Sequence, residues 1–299
     1  MSVSFMNNHR KGFLLTTVGG LALSFDVPLV RLGQGEMWSI IAFRSITTFA
    51  VGLALWIALR FFGRARPALV SGKAGLLAGL CYGLSTVTFL SAVFHTATAN
   101  VVFIVAFTPM FAALLGWILL KERPSPATLI TMLVMVVGVA LIVSGGLASG
   151  HLIGDLLAAL TALALACAIT IGHATRIEMG LVPLLATIFP AAVGFTFMSS
   201  GGFQIEAPLW VIFDGAVMIP LAFWCLATGP KYLTGPEVGM FYLLETILAP
   251  VWVWIVFREV PSLETLAGGA ILVLALVGYS IVQMQRMDKI RTLAVPKGL

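Results

Sequence analysis

Residues 121–129 read KERPSPATL and residues 258–266 read REVPSLETL, and the two stretches overlay without a gap. Glu122 pairs with Glu259, Pro124 with Pro261, Ser125 with Ser262, Thr128 with Thr265 and Leu129 with Leu266. Each stretch is a short polar break between long apolar runs, and a break repeated in this way marks a duplicated unit. Further breaks fall near residues 31–36, 60–73, 95, 147–154, 175–182, 201–208 and 229–236. Together they divide the chain into ten apolar runs, each close to the ~20 residues that an α-helix needs to cross a ~30 Å hydrocarbon layer. A sheet with open edges cannot cross that layer with its backbone unsatisfied, so the fold class is all-α and polytopic. Composition agrees. Of the 299 residues, 60% are hydrophobic and 10% charged, with a mean hydropathy of +1.07, whereas a soluble domain carries about 25% charged residues. Too little charge remains to wet the exterior of a soluble enzyme.

The half starts also match: Gly12, Leu14, Leu15, Leu21, Ala22 and Leu23 align with Gly154, Leu156, Leu157, Leu163, Ala164 and Leu165. The expected organisation is a first repeat over 1–147, a second over 148–285 and a basic tail over 286–299. Five spans per repeat is an odd number, so the second copy enters the membrane upside down. Inverted repeats of this kind point to a transporter, because one unit packed in two near-equivalent ways yields two access states.

Charge sets the orientation. With the N-terminus cytoplasmic, that side receives Arg10, Lys11, Arg60, Arg64, Arg66, Lys73, Lys121, Arg123, Arg176, Lys231, Arg286, Lys289, Arg291 and Lys297, against Arg31 and Arg258 on the other. Both termini are therefore expected inside. Since the cations sit in short gaps, the net charge of +5 orients the chain and does not announce nucleic acid. Arg10 and Lys11 precede the first apolar run as in a signal peptide, but Asp26 interrupts that run and no small-residue cleavage site follows, so it is expected to stay as the first span. Cys81, Cys167 and Cys225 lie singly in apolar runs and read as packing residues.

Two stretches carry a family resemblance. Tyr82 to Glu122, YGLSTVTFLSAVFHTATANVVFIVAFTPMFAALLGWILLKE, resembles the EamA repeat of the drug/metabolite transporter superfamily, and Ala227 to Glu259, ATGPKYLTGPEVGMFYLLETILAPVWVWIVFRE, carries the same pattern. Within that superfamily the chain looks most like the YddG-type aromatic amino acid exporters. The resemblance implies ten helices, a central cavity and efflux of aromatic amino acids. One departure stands out: Thr246 occupies the place of Pro109, and the second copy's proline follows at Pro250, so the bend of the ninth span is expected to differ.

Ionisable groups inside the membrane cost ~2.5 to 3.5 kcal/mol each and need a reason. Asp26 and Arg44 lie at similar depth on consecutive spans, where they can form an ion pair that fixes one span against the other. Alternatively they anchor substrate or relay protons. Glu245 falls near mid-membrane with Tyr242 one turn earlier, a carboxylate and a phenol suited to an ammonium group and an aromatic ring; a hydrogen bond near Thr108, its repeat equivalent, is the structural alternative. Tyr82 and Tyr242 sit away from span ends, where a buried hydroxyl needs a partner. Phe103, Phe107 and Trp224 are further candidates for the cavity wall, with core or lipid contact as the alternative for the phenylalanines and the inner belt as the alternative for Trp224. Trp38, Trp56, Trp117, Trp210, Trp252 and Trp254 are expected in the interfacial belts. Pro109 and Pro250 are candidate hinges between access states.

No GxxxxGK[ST] loop, HExxH or GxSxG motif occurs, so neither nucleotide hydrolysis nor embedded hydrolase chemistry is expected. No cofactor or metal is expected. The resulting reading is a secondary exporter in the bacterial cytoplasmic membrane, a monomer or weak homodimer, whose partners are the lipid bilayer and a small-molecule substrate: an aromatic amino acid or a drug-like metabolite. Cationic drugs and threonine- or homoserine-like amino acids stay open as substrates, and proton coupling by Asp26, Glu245 or Asp214 stays open too. An embedded enzyme and a structural subunit are the remote alternatives.

Overall fold

The computed structural model describes residues 2–62, 72–148, 150–175, 181–199, 201–229, 232–233 and 235–294. Among these, nine helices are long and apolar enough to cross a membrane: α1 Arg10–Leu32, α2 Met37–Phe61, α3 Gly72–His95, α4 Thr98–Leu120, α5 Pro126–Leu147, α6 Leu152–Thr175, α8 Pro208–Leu226, α9 Met240–Phe257 and α10 Leu263–Gln285. Between α6 and α8 lies α7, the shorter apolar Val182–Phe197. Helix continues beyond these bounds at α9, which starts at Gly235, and at α10, which ends at Ala294. Among the described residues the sole strand-like pairing is an isolated bridge between Gly35 and Ile205. The protein is a multi-pass, all-α membrane protein. Consistent with that, α5 turns Leu133, Val136 and Val137 outward, as lipid permits and water does not.

Several spans are interrupted ahead of a proline. α1 breaks at Phe25 before Pro28, α4 breaks over Ala106 and Phe107 before Pro109, and α7 breaks over Ala186 and Thr187 before Pro190. α8 widens into a π-turn over Asp214–Met218 before Pro220. Proline has no N–H to give the carbonyl four residues back. At Pro109 the freed acceptor is Val105, and the Thr108 hydroxyl fills the vacancy at 2.6 Å. α9, by contrast, runs on through Pro250.

The aligned breaks have the same local build. Lys121 and Arg258, which end α4 and α9, both turn left-handed, with φ of 59° and 58°. Ser125 then accepts from the Thr128 N–H at 3.2 Å, and Ser262 accepts from the Thr265 N–H at the same distance.

The principal neighbours follow a regular scheme. α3 lies along α6 and α1 along α8; α4 packs on α6 and α9 on α1; α2 meets α7, α4 meets α9 and α5 meets α10. Exchanging the first five helices for the last five leaves this scheme unchanged. α5 and α10 cross with their backbones in contact, since a Cβ on Gly138 would stand 2.9 Å from the Gly268 carbonyl. One end of the bundle carries Arg31, His95, Asp155 and Glu259; the other carries Arg60, Lys73, Lys121, Arg123 and His173. Arg64, Arg66, Arg176, Lys231 and Lys297 of the orientation argument lie outside the described residues.

Candidate functional site

Arg44, seven residues into α2, holds two carboxylates. Its Nη2 donates to Asp26 Oδ1 at 2.7 Å and its Nε donates to Asp214 Oδ2 at 2.6 Å. All three side chains are buried, and at 1.5 Å per residue they lie about 10 Å below the Arg31 end. The backbone irregularities place the acids: Asp26 is the first residue after the α1 break and Asp214 opens the π-turn of α8. Gly215 makes the second contact possible, because a Cβ there would stand 2.6 Å from the Arg44 carbonyl. Asp214 Oδ1 has no hydrogen-bond partner among the described residues. With both acids ionised the trio carries one surplus negative charge.

Glu245 lies within electrostatic reach of Asp26 and Arg44. Ten residues into the Gly235–Phe257 helix, it stands about 15 Å from the Lys121 end, near mid-membrane. Its carboxylate makes no hydrogen bond among the described residues. Tyr242, one turn away, is within electrostatic reach of both Glu245 and Tyr82. α3 and α9, which carry the two tyrosines, are not packed along one another. Tyr242 is 43% exposed at mid-depth.

The other sequence candidates lie elsewhere. Phe103 enters the notch left by Gly269, where any Cβ would collide with its ring, and Phe107 packs edge-on against Phe111 at 4.9 Å. Both are core residues beside Met110 and Leu272, not cavity wall. Their i, i+4 spacing describes a buried stripe just as well as a lined one. Trp224 is 57% exposed. Successive helical residues turn ~100°, which puts Trp224 opposite Ala222 and Leu226, the face that packs on α1 at Gly19; it is not brought to the cluster. Thr108 serves the α4 break and makes no hydrogen bond to Glu245. Trp252 leaves its expected place in the belt. It stacks on Phe25 at 5.0 Å and donates from Nε1 to Ser24 Oγ at 3.1 Å, beside the α1 break and Asp26. An indole five residues from a span end reads as interfacial until the partner helix is known.

Two clusters mark the ends of the bundle. At the Arg31 end, Arg31 pairs with Glu259 and donates to the Thr98 hydroxyl at 3.1 Å, while Glu259 also accepts from the Thr98 N–H at 2.9 Å. At the Lys121 end, His173 meets Glu122 at 3.1 Å on the rim of a recess of about 290 Å³, whose wall includes Gly116, Leu120, Thr128 and Tyr279. No group of three or more His, Cys, Asp or Glu side chains suited to a metal ion occurs among the described residues.

Residues 10–144 match the model of the EamA-like transporter family. This segment is an EamA-like transporter domain. The EamA-like family is one of membrane transporters of small molecules and not of enzymes. No curated protein matches the sequence. A solved structure described only as "Crystal structure of protein" superposes with a TM-score of 0.58 at 20% identity, over 90% of this chain and 97% of its own. At that identity the likeness is one of fold alone, and it extends well past the EamA-like domain.

Proposed function

We propose that the chain is an alternating-access exporter of small ammonium-bearing aromatic compounds, aromatic amino acids foremost, built from two inverted five-helix repeats over 1–147 and 148–285. The observation that carries this reading is the Glu245 carboxylate, without a hydrogen bond among the described residues near mid-membrane, with Tyr242 one turn away and Tyr82 within electrostatic reach of Tyr242. A carboxylate attracts an ammonium group, and each ring contact adds ~0.5 to 1.5 kcal/mol for an aromatic side chain. The repeated turns at Lys121 and Arg258 and the exchange-invariant packing support the duplication; the cationic Lys121 end supports a cytoplasmic face there, in a bacterial inner membrane.

A second reading, organic cations as substrates, is favoured by the state of Arg44. Its Nη2 and Nε already serve Asp26 and Asp214, and two acids outweigh one cation, so a substrate carboxylate near Glu245 would meet surplus negative charge. Counterflow in proteoliposomes separates the two, with labelled tryptophan, tryptamine, threonine and methyl viologen, each with and without a pH gradient. Exchange of tryptophan, lost in Glu245→Gln, is the expected result. Tryptamine and methyl viologen exchanging at least tenfold faster than tryptophan establishes the cation reading. No exchange of any probe overturns both.

A further inference from the structure

The two end clusters occupy the same positions of the duplicated unit. Continued without a gap, the half-start alignment of Gly12 with Gly154 brings Arg31 onto His173. The alignment of Lys121 with Arg258 brings Phe257 onto Leu120, Glu259 onto Glu122, Val253 onto Gly116 and Thr98 onto Gly235. The structure joins the residues so aligned in matching pairs, Arg31 to Glu259 and His173 to Glu122. Each pair ties the end of a repeat's first helix to the residue just beyond the fourth helix of a repeat: α1 to α9, and α6 to α4.

The pairs differ in closure. Arg31 and Glu259 are 29% and 23% exposed, with the guanidinium 4.8 Å from the Phe257 ring centre. Behind them a second buried layer seals the same end: Asp155 accepts from Thr96 at 2.7 Å and Asn100 at 3.0 Å, and Asn100 accepts from Thr265 at 2.6 Å. His173 and Glu122 are 65% and 59% exposed, and the recess opens behind them where the other end is packed. Chemistry favours the same asymmetry. Arg31 is a permanent cation with a hydroxyl and an aromatic face to hold it. In the other pair the cation is an imidazole, the hydroxyl position is Gly235 and the ring position is Leu120. Around His173 stand Glu122, Arg123 and Tyr279 on the recess wall, and Lys73 opens α3, the helix along α6.

We infer that Arg31–Glu259 and His173–Glu122 are equivalent latches derived from one ancestral contact, the first packed shut and the second joined but exposed, and that protonation of His173 tightens the second and closes the Lys121 end. Histidine is the side chain whose charge ordinarily changes near neutral pH, so acidification on that side closes the recess and favours release of the Arg31 end. The inference rests on the alternating-access reading for its role in transport.

The test uses twin probes, Val253→Cys beneath the Arg31 latch and Gly116→Cys in the recess, in a chain with Cys81, Cys167 and Cys225 replaced by alanine. Gly116 has room for a side chain, since a Cβ there would have Glu122 as its nearest neighbour, at 3.7 Å. A membrane-impermeant maleimide is applied to each side of proteoliposomes. At neutral pH Gly116→Cys reacts and Val253→Cys is protected. Arg31→Gln raises labelling of Val253→Cys about fivefold or more and lowers that of Gly116→Cys, the signature of a shifted two-state equilibrium; Arg31→Lys restores the original ratio. Acidification protects Gly116→Cys, His173→Lys protects it at every pH, and His173→Gln abolishes the response. Labelling that rises at both ends in Arg31→Gln indicates mere loosening and overturns the latch, as does a pH response that survives in His173→Gln. Reciprocal labelling without counterflow of any probe overturns the transport reading and leaves the latch; flux with unshifted labelling does the reverse.

Discussion

Arg44 with its two carboxylates shows what an intramembrane charge requires. One guanidinium holds two acids, and removing it leaves both buried carboxylates uncompensated. Arg44→Met alone is expected to destabilise the protein by about 3–5 kcal/mol, while Arg44→Met combined with Asp26→Asn and Asp214→Asn recovers most of the loss; thermal unfolding in detergent reads both. If Asp26 or Asp214 also carries protons, the triple variant is stable but no longer responds to a pH gradient in counterflow. The contact between Asp26 and Arg44 is legible from opposite charges at one depth on consecutive helices. The contact with Asp214 is not, because 170 residues separate the partners and their meeting depends on a π-turn and on the missing side chain of Gly215. Trp252 and Phe25 are hidden from sequence reasoning for a related cause: their stacking exists only once α9 lies against the α1 break.

Among the helices, hydropathy alone sets the number and approximate limits of the spans, since lipid demands a continuous apolar helix wherever the chain crosses. Interruptions are subtler. A proline marks where a hydrogen bond is lost, but neighbouring contacts determine whether the helix opens there. α4 opens ahead of Pro109, aided by the Thr108 hydroxyl, whereas α9 continues through Pro250. We therefore expect Pro109→Ala to regain a backbone hydrogen bond, straighten α4 and slow counterflow by about tenfold, and Pro250→Ala to change it by less than about twofold. Equal effects would remove the distinction between the two as hinges. Phe103 and Phe107 illustrate the limit of periodicity: the stripe is real, but the glycine notch that turns it into core is on α10.

At the scale of the whole bundle, the proposed duplication rests in the sequence on one short polar motif, whose hydroxyl caps and left-handed residue have the same local build at both breaks. Which end stands open is not readable. The two ends have aligned residues, and their difference lies in how α1 and α9, or α6 and α4, are drawn together. The touching backbones of Gly138 and Gly268 bear on how such a molecule can move. Where two peptide chains meet without intervening side chains, little sliding is available, so under the proposed alternating access α5 and α10 are the fulcrum about which the remaining helices tilt. Gly138→Leu or Gly268→Leu should force the two helices apart and slow counterflow, since a Cβ at Gly138 would already stand 2.9 Å from the Gly268 carbonyl, whereas a disulfide between Arg31→Cys and Glu259→Cys should arrest turnover until reduced. The joint that never opens thus determines the path of every part that does.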